Sequence, residues 1–178
     1  MISAMRITVN NGADALYTPF IQIKKGRNTL GEYIPTAYKG DEPYLFISYA
    51  HKDSDTVLPV IARLQKEGYR IWYDEGIAPG SSWDVYISEH LDKSCNVLAF
   101  LSKAYLKSQN CRDELALTRS KGISMNIIYI DDAELSPGLR MRYGRIQALF
   151  MNRMPEDEFI EKLCKTEAMA AAKEQVTV

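Results

Sequence analysis

Five short apolar runs divide the chain from residue 44 onward. They are Tyr44–Tyr49, Tyr69–Tyr73, Asn96–Leu101, Met125–Ile130 and Ile146–Met151. Each run is apolar at nearly every position instead of alternating with polar residues, which is typical of strands that are covered on both faces. The pattern therefore predicts five buried strands.

Stretches of helix length separate these runs. Two of them carry apolar residues at three- and four-residue steps, namely Val57, Ile61 and Leu64 in the first and Trp83, Ile87 and Leu91 in the second. A last helix is expected from Glu156 to Ala172. Because strands and helices alternate, the chain is predicted to form an α/β fold with a parallel sheet and right-handed crossovers.

The two ends of the chain have a different character. Residues 1–42 contain two β-like segments, Arg6–Val9 and Phe20–Lys24, and are too few to form a core of their own. They are predicted to be a β-rich arm that packs on the main domain, residues 43–166, or on a neighbouring molecule. Residues 167–178 have little to bury and are predicted to fray.

Composition excludes several classes of partner. The 22 basic and 23 acidic residues nearly cancel, so no basic field favours nucleic acid. No run approaches the roughly 18 apolar residues of a bilayer span, and the N-terminus lacks the layout of a secretory signal. The three cysteines show neither disulfide nor metal-ligand spacing. We therefore expect a cytoplasmic protein of a reducing cytosol, without metal or membrane.

Ligands of open α/β sheets bind beyond the carboxyl ends of the strands. The loops expected there are Ser48–Asp53, Asp74–Gly80 and Ser102–Asn110. The glycine-rich dinucleotide and P-loop motifs are missing from the sequence. A phosphoacceptor receiver would have an aspartate at the end of the third strand, where this chain has Leu101-Ser102-Lys103.

A set of short motifs in a fixed order resembles the Toll/interleukin-receptor (TIR) domain family, in its bacterial form. The motifs are Phe46-Ile47-Ser48-Tyr49, His51-Lys52-Asp53, Arg70-Ile71-Trp72-Tyr73-Asp74, Leu101-Ser102-Lys103, Ser108 and Asn110-Cys111-Arg112-Asp113-Glu114. The resemblance covers residues 43 to 151 and implies a flavodoxin-like, three-layer fold with five parallel strands. Many members cleave NAD at the nicotinamide–ribose bond and release linear or cyclised ADP-ribose, while others only assemble with partner TIR domains.

The resemblance assigns the catalytic glutamate of such enzymes to Glu114. From the residues, Asn110 and Asp113 are a candidate capping pair, which places Glu114 in the first turn of a helix. The positive end of the helix dipole there favours an ionised carboxylate. Such a group could stabilise the ribose cation as neutral nicotinamide leaves. The simpler alternative is that acidic residues are common in first helical turns for dipole reasons alone.

Six other residues expected to bind substrate lie in the same loops: Ser48, Tyr49, Asp53, Asp74, Ser102 and Asn110. A seventh, Trp83, opens the helix that follows the loop Asp74–Ser82. Simpler alternatives are core packing for Trp83, a turn or helix cap for Asp74 and an N-cap for Asp53. Many catalytic relatives have an aromatic residue where this chain has Asn110, so stacking on the substrate would pass to Trp83, Tyr49 or Tyr105.

Two other functional classes remain open from the sequence. The first is a TIR interaction module without chemistry that recruits other TIR or effector proteins. The second is a thiol hydrolase, in which Cys111 at a helix N-terminus would pair with His51. For the enzyme, NAD is the expected substrate, no cofactor is needed, and self-association is expected through the loop Asp74–Ser82. The resemblance also implies a role in defence against phage.

Overall fold

The structure is a computed structural model that describes residues 34–75 and 83–173. The predicted β segments Arg6–Val9 and Phe20–Lys24 lie outside the described residues. So do most of the predicted contact loop, residues 76–82, and the last five residues, 174–178.

The described residues form one sheet of five parallel strands in the order β2-β1-β3-β4-β5. The strands are β1 (Tyr44–Tyr49), β2 (Ile71–Tyr73), β3 (Ser94–Leu101), β4 (Met125–Tyr129) and β5 (Ala148–Phe150). Each of the five predicted apolar runs overlaps one of these strands, with β3 beginning two residues before its run, and the predicted parallel α/β fold is confirmed. The order is that of the flavodoxin-like sheet.

Helices cover both faces of the sheet. They are α1 (Ser54–Lys66), α2 (Trp83–Lys93), α3 (Lys103–Lys107), α4 (Gln109–Ser120), α5 (Pro137–Tyr143) and α6 (Glu156–Cys164). Short 3₁₀ turns occupy His51–Asp53, Met151–Arg153 and Glu167–Ala172. None of the helices within the described ranges is long and apolar enough to cross a membrane.

Each strand sends alternate side chains to opposite layers of helices. In β1, Leu45 and Ile47 pack with the buried faces of α1 and α6, whereas Phe46 packs with residues of α2. Helices α3 and α4 cover the same side of the sheet as α2, because Tyr105 and Leu115 pack on β3 and β4. The strands are therefore buried on both sides, which is why they read as continuous apolar runs.

The C-terminal region differs from its prediction. The expected helix from Glu156 to Ala172 ends at Cys164, and the residues after it form a 3₁₀ turn. Met169 and Ala172 are completely buried in the core beside α1 and α6, and the Ala172 carbonyl accepts a hydrogen bond from Arg70 N at 2.9 Å. The prediction of a frayed tail is therefore wrong for residues 167–173, because small side chains let this turn pack closely on the sheet.

The last residues of the N-terminal arm run beside the exposed edge strand β2. Tyr38 N donates to the Ile71 carbonyl at 2.8 Å, and the Tyr73 hydroxyl donates to the Pro35 carbonyl at 2.7 Å. These bonds satisfy backbone and side-chain groups that an open sheet edge would leave unpaired. The segment therefore protects the edge of β2 and holds this strand in place directly before Asp74.

Candidate active site

The candidate site lies where the order of the strands reverses, between β1 and β3. The chain leaving β1 enters α1 on one face of the sheet, whereas the chain leaving β3 enters α3 and α4 on the other face. A crevice forms at such a point because the two connections diverge. Ser48 and Tyr49 end β1, Asp53, Asp74 and Ser102 lie in the loops that follow β1, β2 and β3, and Asn110 lies in the first turn of α4.

Glu114 accepts a hydrogen bond from one buried hydroxyl group, which is in turn bonded to a second buried hydroxyl group. Ser48 Oγ, at the end of β1, donates a hydrogen bond to Glu114 Oε2 at 2.6 Å, and the Tyr105 hydroxyl lies 2.8 Å from the same Ser48 Oγ. Ser48 is 1% exposed and Tyr105 is completely buried, while Glu114 keeps partial contact with solvent. The carboxylate is thus anchored at the end of the sheet with part of its surface accessible.

Helix α4 begins earlier than its sequence predicts. Its N-cap is Ser108, whose hydroxyl accepts a hydrogen bond from Cys111 N at 3.3 Å, so Asn110 is an exposed residue of the first turn. The predicted capping pair of Asn110 and Asp113 is therefore wrong. Glu114 is the sixth residue of the helix and lies in its second turn, where the helix dipole acts weakly.

The environment of Glu114 favours its neutral form. Burial raises the pKa of Glu114 to about 7 and outweighs the hydrogen bond from Ser48, which lowers it. The nearby negative charges of Asp74 and Asp113 raise the pKa further. The expectation that the helix N-terminus keeps this carboxylate ionised is wrong, because loss of hydration dominates and raises the pKa. A group with a pKa near neutrality is typical of functional sites.

Asp74 joins the site from the end of β2. Its Oδ2 lies 3.6 Å from His51 Nε2 in the loop after β1, and its charge acts on Glu114. The Tyr49 ring packs edge-on against the His51 ring with centroids 5.8 Å apart. Burial raises the pKa of Tyr49, with further increases from Tyr73 and Asp74. The structure thus brings the Asp74 carboxylate near Glu114, whereas the Tyr49 ring packs with the core on the α1 and α6 side of the sheet.

Asp53 and Ser102 form a second pair across the crevice. Ser102 Oγ donates to Asp53 Oδ2 at 2.5 Å and accepts a hydrogen bond from Tyr105 N at 2.9 Å. Asp53 occupies the N-cap position of α1 but makes no side-chain capping bond, so the simple capping alternative is wrong. Ser102 is 1% exposed and caps α3, which fixes the backbone that carries Tyr105.

Many relatives have an aromatic residue at the position of Asn110, and three other aromatic residues were expected to stack on the substrate in its place. Their environments differ. Tyr105 is completely buried and its hydroxyl is bonded to Ser48, so it is unable to stack on a ligand. Tyr49 is half-buried, lies beside His51 and packs against the core on the α1 and α6 side of the sheet. Trp83 is the first residue of α2, and its side chain lies outside the described part of the chain.

The alternative of a thiol nucleophile is not supported by the site. Cys111 is buried against β3, and burial raises the pKa of its thiol to about 12 despite the nearby helix N-terminus. The negative charges of Glu114 and Asp53 add to this rise. A reactive cysteine requires a stabilised thiolate, whereas this environment stabilises the protonated form.

Two features of the site were missed from the sequence. The link between Tyr105 and Ser48 joins residues 57 positions apart, and no local pattern indicates it. His51 was considered as a partner of Cys111, but its ring nitrogen lies next to Asp74. Its place directly after β1, opposite an aspartate that ends the neighbouring strand, is a signal that could have indicated this pair.

The fold and the site define a flavodoxin-like α/β domain with an anchored acidic residue at its switch point. A family model described as "TIR domain" matches residues 45–164, and the chain belongs to the TIR domain family. Among the residues that the structure describes, no cluster of histidine, cysteine, aspartate and glutamate side chains could hold a metal ion.

Solved structures show the same fold. The chain is similar to the TIR domain of the Toll-related receptor TRR-2 from Hydra magnipapillata, with 17% identity, 67% of this chain and 93% of that chain covered, and a TM-score of 0.56. It is also similar to a metazoan TIR-STING receptor from C. gigas, with 19% identity, 75% of this chain and 44% of that chain covered, and a TM-score of 0.51. No match to a curated protein reaches significance.

Proposed function

We propose that this chain is a bacterial-type, cytoplasmic TIR enzyme that cleaves NAD at the nicotinamide–ribose bond. The observation that carries the proposal is Glu114, which the structure anchors at the switch point of the sheet with a pKa of about 7. Many members of the family to which the chain belongs are NAD-cleaving enzymes, and the resemblance of the motifs assigns their glutamate to Glu114. Defence against phage through NAD depletion or a cyclic product is the biological role that we propose.

Cleavage of the nicotinamide–ribose bond needs a negatively charged group near the ribose more than it needs a general acid. The C1′–nitrogen bond breaks with both electrons moving to nicotinamide, which departs as a neutral molecule and needs no proton. Positive charge then develops on the ribose, and an ionised Glu114 stabilises it in the transition state. The partial loss of water around the carboxylate strengthens this attraction. With a pKa of about 7, roughly half of the molecules hold Glu114 ionised at neutral pH.

The polar and aromatic groups around Glu114 are assigned to different parts of NAD, the ribose and the bases. We assign Asp74 to the ribose hydroxyls, because its carboxylate accepts hydrogen bonds and acts on Glu114. Tyr49 and Trp83 are assigned to stacking on nicotinamide or adenine. Asn110, exposed one helical turn before Glu114, is assigned to the mouth of the site. Water at C1′ gives ADP-ribose, and attack by a nucleophilic atom of the adenosine part gives a cyclic isomer.

Self-association is the second part of the proposal. The loop from Asp74 to Ser82 begins beside Glu114, so a second copy that contacts this loop could close the crevice. NAD cleavage per chain should then rise with protein concentration. A value that stays constant over the range in which the chain assembles would contradict this control.

The decisive experiment is to incubate concentrated protein with NAD and to separate the products by chromatography. Glu114→Gln, which keeps the size and hydrogen-bonding capacity of the side chain but removes its charge, should lower the rate by about 100- to 1000-fold. The matched control is Glu156→Gln, which makes the same substitution at an exposed glutamate of α6 and should retain wild-type activity.

The same experiment separates the enzyme from an interaction module. If wild-type protein assembles in solution but releases no nicotinamide at any concentration, the chain is a TIR interaction module and the enzymatic proposal fails. If Glu114→Gln assembles normally and loses turnover, Glu114 serves the reaction and not the assembly.

A further inference from the structure

Behind Glu114 lies a chain of two hydroxyl groups that does not reach the crevice surface. Tyr105 OH lies 2.8 Å from Ser48 Oγ, and Ser48 Oγ lies 2.6 Å from Glu114 Oε2. Ser48 and Tyr105 are buried at 1% and 0% exposure, so neither side chain is accessible to a substrate. Ser48 was expected to bind substrate, and its burial requires a different role.

The order of donors in this chain follows from the number of hydrogens. The buried Tyr105 hydroxyl has one hydrogen, and Ser48 Oγ is the hydrogen-bond partner found for it among the described residues. If Tyr105 donates to Ser48, the single hydrogen of Ser48 is free to be donated to Glu114 Oε2. Glu114 Oε2 is thereby a fixed acceptor, and the two oxygens of the carboxylate are no longer equivalent.

We propose that Ser48 and Tyr105 are positioning residues that hold Glu114 Oε2 as a hydrogen-bond acceptor, which leaves Oε1 as the oxygen that faces the ribose. The role of Oε1 rests on the function proposed above, whereas the positioning itself does not. A glutamate side chain rotates easily about its last bond, so an unanchored carboxylate would present either oxygen and many orientations. The hydroxyl chain removes this freedom before the substrate binds.

The other groups that face Glu114 act on its charge without fixing its orientation. Asp74 at the end of β2 and Asp113 on α4 both raise the pKa of Glu114. Cys111 on α4 and Tyr105 on α3 remain protonated, because their own pKa values are raised by burial and by Glu114. Ser48 is the partner that lowers the pKa of Glu114, so loss of its hydrogen bond should raise this pKa.

The test is a carbon-13 NMR titration of the Glu114 carboxyl group, assigned by the signal that Glu114→Gln removes. Ser48→Ala should raise the pKa of Glu114 by about one unit and Tyr105→Phe by about half a unit, because a donor to the charged form is lost or weakened. In the NAD assay, the acid limb of the pH profile should move upward by the same amounts. For Ser48→Ala this lowers turnover at pH 7 by about 5-fold.

The matched control is Tyr44→Phe. Its hydroxyl also donates to a partly buried partner, the His90 carbonyl at 2.8 Å, but Tyr44 lies at the opposite end of β1. This variant should leave the pKa of Glu114 unchanged. Tyr105→Phe keeps the ring and its packing, so it decides the question if Ser48→Ala does not fold.

The outcomes separate this inference from the proposed function. An unchanged Glu114 pKa in folded Tyr105→Phe and Ser48→Ala, or an equal change in Tyr44→Phe, would overturn the positioning role even if the protein cleaves NAD. A shifted pKa in the two variants supports the positioning role, even if wild-type protein leaves NAD intact and the enzymatic proposal fails.

Discussion

The two ends of the sheet bury polar groups in different ways. At the amino end the pairs are neutral, since Asn96 Nδ2 donates to Asn126 Oδ1 at 3.0 Å. At the carboxyl end the acceptors are carboxylates, with Ser48 Oγ donating to Glu114 and Ser102 Oγ donating to Asp53. The strands and the covering helices are the same at both ends, so the difference comes from the residues placed there.

The neutral pair and the carboxylates differ in how they affect folding stability and in whether they can act on a substrate. A neutral amide pair has no charge to lose, so its contribution is the same across the physiological pH range. A carboxylate in a partly dehydrated crevice gives up stability when it ionises, and it gains a charge that can act on a substrate. We therefore expect substitutions at the amino end to affect folding alone and those at the carboxyl end to depend on pH.

The largest effect on folding is expected at the amino end. Asn126→Ala leaves the amide of Asn96, which is completely buried, without its partner and opens a small cavity. The free energy of unfolding should fall by about 3 kcal/mol, equally at pH 5 and pH 8. Denaturant unfolding measures this loss.

Asn152→Ala is the matched control for that substitution. Asn152 also donates from its side-chain amide, to Asp132 Oδ1 at 3.2 Å, but the pair is exposed. Its removal should change the free energy of unfolding by less than about 0.5 kcal/mol. A loss in Asn126→Ala that varies strongly with pH would contradict the contrast between the two ends.

The next effect concerns activity at the carboxyl end. The proposed reaction uses the ionised form of Glu114, whose pKa is about 7, so NAD cleavage should be about 100-fold slower at pH 5 than at pH 8. Initial rates between these limits measure the profile, with circular dichroism as the check that the protein stays folded. A rate that increases toward acid pH would indicate instead that protonated Glu114 is the active form.

The smallest of these effects is a gain in stability at the same end. The pKa of Glu114 is raised from its usual value of 4.5 to about 7 in the folded protein, so between these values the unfolded chain binds fewer protons. Stability is therefore lost as the pH rises through this window. Glu114→Gln should raise the free energy of unfolding at pH 8 by about 2 kcal/mol, since the partly exposed carboxylate retains some hydration.

At pH 5 most of this gain should disappear, because wild-type Glu114 is then protonated in the folded protein. Glu156→Gln, the same substitution at an exposed position of α6, should give no comparable gain at either pH. An equal gain for Glu114→Gln at pH 5 and pH 8 would show that the charge of Glu114 is not the cause.

Much of the fold could be predicted because buried strands and helices have a recognisable pattern of apolar residues in the local sequence. β1 has the predicted bounds, Tyr44–Tyr49, and the other four strands lie mostly within their apolar runs. Helix ends were predicted less well. The cap at Ser108 was missed, and the last helix ends at Cys164, because a cap or a break depends on which of several polar or small residues the surroundings select.

The position of Glu114 at the carboxyl end of the sheet could be predicted as well, but the arrangement of the residues around it could not. Glu114 was identified from the motifs, and the strand order places it at the switch point. Its attachment to Ser48 and Tyr105 joins three elements that are distant in sequence. Such contacts depend on how α3 and α4 pack on the sheet.

The sequence by itself determined the alternation of strands and helices, the parallel sheet and the family, because hydrophobic spacing and short motifs are local properties of a chain. Only the tertiary structure decided the protonation behaviour of the site. The pKa of Glu114 depends on how much water the surrounding elements remove and on which charges they bring near, and the same packing keeps the Cys111 thiol protonated. Neither quantity can be read from neighbours along the chain.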